Sequence, residues 1–182
     1  YSRTDNGGKT QTVTARSGRA PVTEQATRII LKAEHLGTNA QEPSEGPIAN
    51  LIDGNTATFF HTAWSVAIPG PHWLQIRLPE ALTEGHWKFW YAPRNNGRQK
   101  PTDFDILVST GGSDWTLVKK FTKDEDGLPV TATDAYTSPN LPVTQPFDHI
   151  RMVVNAVNSG EVFFTMSEFR LWQVKVVDPE AE

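Results

Sequence analysis

Cysteine is absent from the 182 residues, which excludes both a disulfide framework and a Cys-ligated zinc site. Positive charge is scarce too: 17 Lys and Arg against 21 Asp and Glu leave a formal net charge of −4. Proteins that hold a phosphate backbone by charge carry the opposite imbalance, so nucleic acid is not an expected partner. No stretch approaches the roughly 18 consecutive apolar residues that a membrane-spanning helix needs. The chain opens on Tyr1 rather than Met, without a visible leader, and reads as a piece cut from a longer protein. Apolar residues are only 37 % of the total, yet six Trp and nine Phe are among them. Large aromatics let such a chain build a core, because each buries a large area. The 13 Gly and 13 Pro argue against a helical bundle.

Catalytic constellations are also missing. His35, His61, His72, His86 and His149 form neither an H-x-H nor an H-E-x-x-H arrangement. No Ser stands in a G-x-S-x-G elbow, and there is no thiol nucleophile. Asp103 and Asp105 share a strand face and read as a solvated rim at a sheet edge. The chain is not expected to be an enzyme.

Residues 1–26 are polar, with almost no large apolar side chains, and read as an arm or linker. Within them QTVTARS alternates weakly, enough for an edge strand. From Thr27 to Val177 the apolar pattern has period two. WLQIRL puts Leu74, Ile76 and Leu78 on one face, and HWKFWYA alternates through Trp87, Phe89 and Tyr91. DFDILVS, WTLVKKF, HIRMVVN and EFRLWQVKV are further strand candidates, separated by the turn formers STGGSDW, DEDGLP, TSPNLP and NSGE. Only IANLID suggests a helical turn. The fold class is all-β, an antiparallel sandwich or jelly roll. Phe59, Trp73, Trp87, Phe89, Phe104, Trp115 and Phe169 are read as filling between its sheets. Residues 178–182 form an acidic end expected to fray.

LIDGNTATFFHTAWS, residues 51–65, is the informative segment. Asp53, Asn55 and Thr58 cluster oxygen donors around Gly54. That suits a hard cation if a second carboxylate joins from elsewhere, and otherwise a plain Asx turn. Trp64 beside His61 is either core or a flat wall for a sugar ring, with polar groups placed around it.

This segment, together with PHWLQIRLPEA, FWYAPRNNGRQKPTDFDILVSTGGSDWTLV and SEFRLW, resembles the F5/8 type C (discoidin) domain. The H-x-x-W pair is most similar to the family 32 carbohydrate-binding modules of secreted bacterial proteins. The resemblance spans Arg28 to Trp172 and implies a galactose-binding-like β-sandwich. It implies a structural calcium ion held by Asn50, Asp53, Asn55, Thr58 and Glu168, the last supplying the second carboxylate. It also implies a sugar site at His61, Trp64 and Arg94. Glu45 is the nearest acid to that site, Asn96 (with Asn95 and Gln99) a source of amides, and Phe163 or Phe164 a second aromatic wall. Phe60 replaces the family's usual Trp before the His. The implied function is non-catalytic binding of terminal galactose-type sugars, tethering a larger secreted or cell-surface bacterial protein to glycans. The implied form is a monomeric module. A protein–protein adhesion or assembly domain on the same scaffold is the alternative: the same loops would present Trp64 and the late-loop phenylalanines to a partner. Burial of Trp64 against its own sheet, or closure of the space between His61 and Arg94, would favour it. Membrane-binding discoidin domains usually carry a Cys–Cys clamp across their termini, so the missing cysteine sets this chain apart from them.

Overall fold

Alternation along the chain becomes two layers of antiparallel strands. The computed structural model describes residues 3–4, 10–11, 18, 20–132 and 134–181. The strands run in order as β1 (Arg3–Thr4), β2 (Thr10–Gln11), β3 (Thr23–Ile29), β4 (Leu36–Thr38), β5 (Phe60–His61), β6 (His72–Leu82) and β7 (His86–Ala92). They continue as β8 (Pro101–Ser109), β9 (Thr116–Thr122), β10 (Tyr136–Thr137), β11 (Leu141–Pro142), β12 (Phe147–Val157), β13 (Thr165–Met166) and β14 (Glu168–Val177). One sheet has the order β10-β7-β14-β3, with β11 also pairing β7; the other has the order β4-β6-β12-β8-β9. β5 pairs with β13 in a separate short ladder. IANLID supplies a 3-10 turn, Ile48–Ile52, as its pattern suggests.

Leu74, Ile76 and Leu78 from β6 face inward to meet Trp87, Phe89 and Tyr91 from β7, all nearly closed to solvent. Phe89 sits at the centre, ringed by Trp87, Tyr91, Phe104, Phe121, Tyr136 and Phe169. Edge-on and offset ring contacts of this kind add to the stabilisation from burial alone. Three expected core aromatics lie elsewhere. Trp73 and Trp115 are half-buried and clamp the Arg151 guanidinium between them at 4.0 and 4.1 Å. A strand shows period two on both faces, so a Trp packed against an outward-facing Arg has the same sequence signature as a core Trp. Phe59 belongs to the site described below. Asp103 and Asp105 do share a face, but β8 is an interior strand, and Lys120 bridges them at 2.7 and 3.4 Å.

The boundary expected at residue 27 falls inside β3, whose residues Thr23–Ala26 pair with Val174–Val177. Most of the arm, including residues 12–17 of QTVTARS, lies outside the described residues. What is described of it includes the short ladder pairing Arg3 with Gln11 and Thr4 with Thr10.

Candidate functional site

Glu42 organises one corner of the sandwich. It is only 2 % exposed, and its carboxylate accepts from the Trp64 and Ser65 amides at 2.7 and 2.9 Å. It also accepts from the hydroxyls of Ser65 and Ser44 and from the Ser44 amide. Burial alone would raise the Glu42 carboxyl, but the donors from Ser65, Ser44 and Trp64 outweigh it and hold the group far below the carboxylate range. The same loop bends back through Gly46 at φ 63°, where a Cβ would lie 2.7 Å from the His61 amide nitrogen. Only glycine lets the loop come this close.

The corner fixes Trp64 with its ring half exposed, at 50 %. The indole Nε1–H donates to Glu45 Oε1 at 3.0 Å. His61, on β5, is 4 % exposed and forms a floor beneath Trp64 and Phe163, with ring centroids 6.4 and 5.7 Å away. Its Nδ1 lies 2.7 Å from the Thr62 carbonyl, which can only accept, so the proton belongs on Nδ1. Nε2 is left as an acceptor, 4.0 Å from Glu45 Oε1. Burial draws the His61 pKa below its ordinary value, with Arg94 adding to that; the Thr62 carbonyl, Glu45 and Glu42 oppose it. The ring is neutral at pH 7.

Arg94 joins from the loop after β7. Its guanidinium carbon lies 3.6 Å from the Phe59 ring centroid, and Phe59 in turn packs edge-on to His61 at 6.3 Å. A cation over an aromatic face holds its geometry without losing its outward N–H groups. Behind it, the fully buried Lys100 donates from Nζ to the Arg94 carbonyl at 2.5 Å. Burial, and then the Arg94 charge, pull the Lys100 pKa down to about 8.

Ring contacts therefore link His61, Trp64, Arg94 and Phe163, and Glu45 reaches the same place. Asn96 is engaged in its own loop, donating to Gln99 Oε1 at 3.5 Å and accepting from the Arg98 amide at 3.3 Å. Phe164 is a correction: it is fully buried and packs edge-on to Phe60 at 5.7 Å, so it is core, not wall. Adjacent residues in an extended chain point to opposite sides, so only Phe163 faces His61. Phe59 and Lys100 are the participants that sequence reasoning passed over, and Glu42, which lies in the same run as Glu45, proves to be the acid that holds the corner together. The Phe59–Phe60 pair carried the signal for the first, since one of two consecutive strand residues must leave the core.

The Asp53 loop forms a second cluster. Asp53 accepts from the Asn55 amide at 2.8 Å and the Thr58 hydroxyl at 2.5 Å. Those donors hold its carboxyl below the ordinary value although burial opposes them. Glu168 reaches the loop from β14 and accepts from the Gly54 amide at 2.6 Å. It is fully buried, and its Oε2 has no hydrogen-bond partner. Burial and the neighbouring Asp53 push its pKa up. Asn50, whose side chain donates to the Phe59 carbonyl at 2.9 Å, ties this loop to the first cluster. Two carboxylates side by side, one with an orphaned buried oxygen, fit a hard cation. Among the described residues no three His, Asp or Glu side chains are placed to hold a metal ion together, so such an ion would draw further oxygens from the backbone, Asn55 and Thr58.

The chain is similar over 176 residues to a sialidase of Micromonospora viridifaciens, at 27 % identity, covering 93 % of this chain and 24 % of the sialidase. An A type blood N-acetyl-α-D-galactosamine deacetylase of Flavonifractor plautii is 30 % identical over 89 residues, or 42 % of this chain and 11 % of that enzyme. The chain thus spans a quarter or less of these curated relatives. Among solved structures, CpGH89CBM32-5 from Clostridium perfringens, in complex with GalNAc-β-1,3-galactose, superposes with a TM-score of 0.64 at 17 % identity. That match covers 80 % of this chain and 99 % of the other. The family 32 carbohydrate-binding module of Clostridium perfringens NanJ, in complex with galactose, gives 0.60 at 20 % identity over 82 % and 100 % of the two chains. The family 32 module of AlyQ, in complex with 4,5-unsaturated mannuronic acid, gives 0.56 at 16 % identity over 80 % and 97 %. The two layers and the strand order described above are thus the fold of these modules. The sequence model of the F5/8 type C domain matches residues 35–169, and the chain belongs to that family.

Proposed function

We propose that this chain is a non-catalytic carbohydrate-binding module that takes a terminal galactose-type sugar at the His61–Trp64–Arg94 corner. The observation that carries the reading is the half-exposed Trp64 ring, pinned by Glu42 and Glu45 beside a neutral imidazole and a stacked guanidinium. The apolar face of a pyranose stacks on Trp64, with Phe163 as a second wall. A sugar hydroxyl donates to His61 Nε2, whose proton sits on the other nitrogen, and accepts from the Arg94 N–H groups. Glu45 accepts from a further hydroxyl. Every polar group thus has one fixed role, which suits a ligand with hydroxyls set at defined angles. Two of the solved relatives, the C. perfringens modules, are bound to galactose-containing sugars, and this supports the choice of sugar.

An open site with a stacking ring and a handful of hydrogen bonds binds weakly, in the micromolar to millimolar range, on the order of 4–8 kcal/mol. Several modules in one larger protein then supply avidity, which gives a tethering role to a secreted or surface protein. Calorimetric titration with galactose and galactose-terminated oligosaccharides tests this. Saturable binding that Trp64→Ala removes supports the reading. Absence of heat with every such sugar, for the wild type and the variant alike, overturns it.

A structural calcium ion at Asp53 and Glu168 belongs to the same reading. It would stiffen the loop that carries Phe59 and His61 without touching the sugar. The orphaned Glu168 Oε2 supports it. The adhesion alternative would present the same Trp64 to a protein partner; a Trp64 buried against its own sheet would have favoured it, and the 50 % exposure does not add that support.

A further inference from the structure

We propose a second glycan site, on the outer face of the sheet formed by β7, β14 and β3, which takes acidic glycans such as uronate-bearing or sulfated chains. Strand register builds a checkerboard there. Trp172 on β14 stands opposite Lys88 on β7 and Arg28 on β3. One row along, Arg170 stands opposite Trp90. Trp90 and Trp172 are diagonal neighbours, with about 7–8 Å between such positions. Each indole is half-buried and lies against a cation: the Arg170 guanidinium is 4.4 Å from the Trp90 ring, and Lys88 Nζ is 5.8 Å from Trp172.

The cations have charge to spare. Among the described residues neither Arg28 nor Lys88 forms an ion pair, in a chain whose net charge is −4. Arg170 approaches only the buried Glu168, at 3.9 Å, and its Nε makes no hydrogen bond. Arg28 and Arg170 also line a hollow of about 230 Å³, with Ile30 and Ile52 among its apolar walls. Such a surface offers stacking to sugar rings and a guanidinium or ammonium group to the acid each ring carries. Single-stranded nucleic acid asks for a basic groove that follows its backbone, and a flat face with three cations on an acidic protein does not provide one. Neutral galactose has no use for the charge, so this face and the Trp64 corner select different ligands.

The test is an NMR titration of the full chain, read at the indole N–H signals of Trp64, Trp90 and Trp172. The probes are an oligogalacturonate, a sulfated galactan oligosaccharide, galactose and a single-stranded DNA oligonucleotide. We expect at least one acidic glycan to move Trp90 and Trp172 while leaving Trp64 in place. Arg28→Gln combined with Lys88→Gln should weaken that binding at least fivefold, and 1 M salt should abolish it. Both changes are on the surface, so the result does not depend on a core tryptophan variant folding. Trp64→Ala should leave it unchanged, which separates this site from the first. The proposal falls if neither acidic glycan moves Trp90 or Trp172, or if Trp64 alone responds. It falls equally if the charge variant binds like wild type, or if the oligonucleotide binds more tightly than both glycans.

Discussion

Glu42 and Glu168 are the same side chain at nearly the same depth, 2 % and 0 % exposed, in two loop clusters that meet around Phe59. Their circumstances are opposite. Glu42 is surrounded by amides and hydroxyls from Ser44, Trp64 and Ser65, so its charge is fully satisfied and its pKa falls. Glu168 has one amide, an acidic neighbour, Arg170 no nearer than 3.9 Å and an oxygen without a hydrogen bond, so burial and Asp53 win and its pKa rises. Burial by itself decides neither outcome; the supply of donors does. One carboxylate is therefore a finished clamp that aims Trp64, and the other is the unsatisfied acid on which the proposed cation site rests.

Removing the clamp is the strongest way to break this contrast. Glu42→Ala strands several buried donors at once, and we expect the largest fall in thermal midpoint of any single change at either corner. Galactose affinity should drop at least roughly tenfold with it, because Trp64 is no longer aimed. The depressed Glu42 pKa also has a sign. Its contribution is fully present above the ordinary carboxylate value and is lost only as pH falls through the much lower folded-state value. A melt at pH 4 should therefore still show the wild type more stable than Glu42→Gln.

The proposed calcium ion would be the next largest lever. At a hundredfold excess over its dissociation constant, an ion that binds only the folded chain adds about 2.7 kcal/mol. For a domain of this size that corresponds to roughly 5–10 °C of midpoint. A chelator should remove that increment from the wild type and do nothing to Asp53→Ala. Equal midpoints for the wild type with and without chelator would make Glu168 an unexplained buried acid.

Trp64→Ala comes third. It should cost at least roughly tenfold in galactose affinity, about 1.4 kcal/mol, while leaving the midpoint nearly unmoved, since half of the ring is in solvent. Smallest near neutrality is the effect of pH. In the proposed site galactose needs the His61 Nε2 lone pair, so affinity should be flat from pH 8 down to 6.5. It should fall as pH passes below the depressed His61 value, by up to tenfold per unit. A titration series across pH 4.5–8 checks this, and an affinity that rises on acidification would assign the proton wrongly.

Much of the layer structure was legible in the sequence, because inward-facing runs such as Trp87, Phe89 and Tyr91 alternate without interruption. The cluster of His61, Trp64 and Arg94 was legible through the family resemblance, and Glu45 lands beside it. What escaped was whatever depends on partners far away in the chain. Trp73 and Trp115 look like core residues until Arg151 is seen between them. Phe59 looks like core until Arg94, 35 positions later, lies on its ring. Phe163 and Phe164 are interchangeable by composition, and only the pairing of Phe164 with Thr62 and Phe60 sends one inward. Part of the clamp on Glu42 consists of the Ser44, Trp64 and Ser65 backbone amides, which leave no trace in side-chain spacing.

The most direct test of the central claim is the Trp64 indole N–H signal followed through a galactose titration of the chain in calcium-containing buffer. Its hydrogen bond to Glu45 puts the reporter inside the proposed site. The account predicts a saturable shift with a midpoint between micromolar and millimolar galactose, lost in Arg94→Ala. A Trp64 signal that stays fixed at every galactose concentration would contradict it.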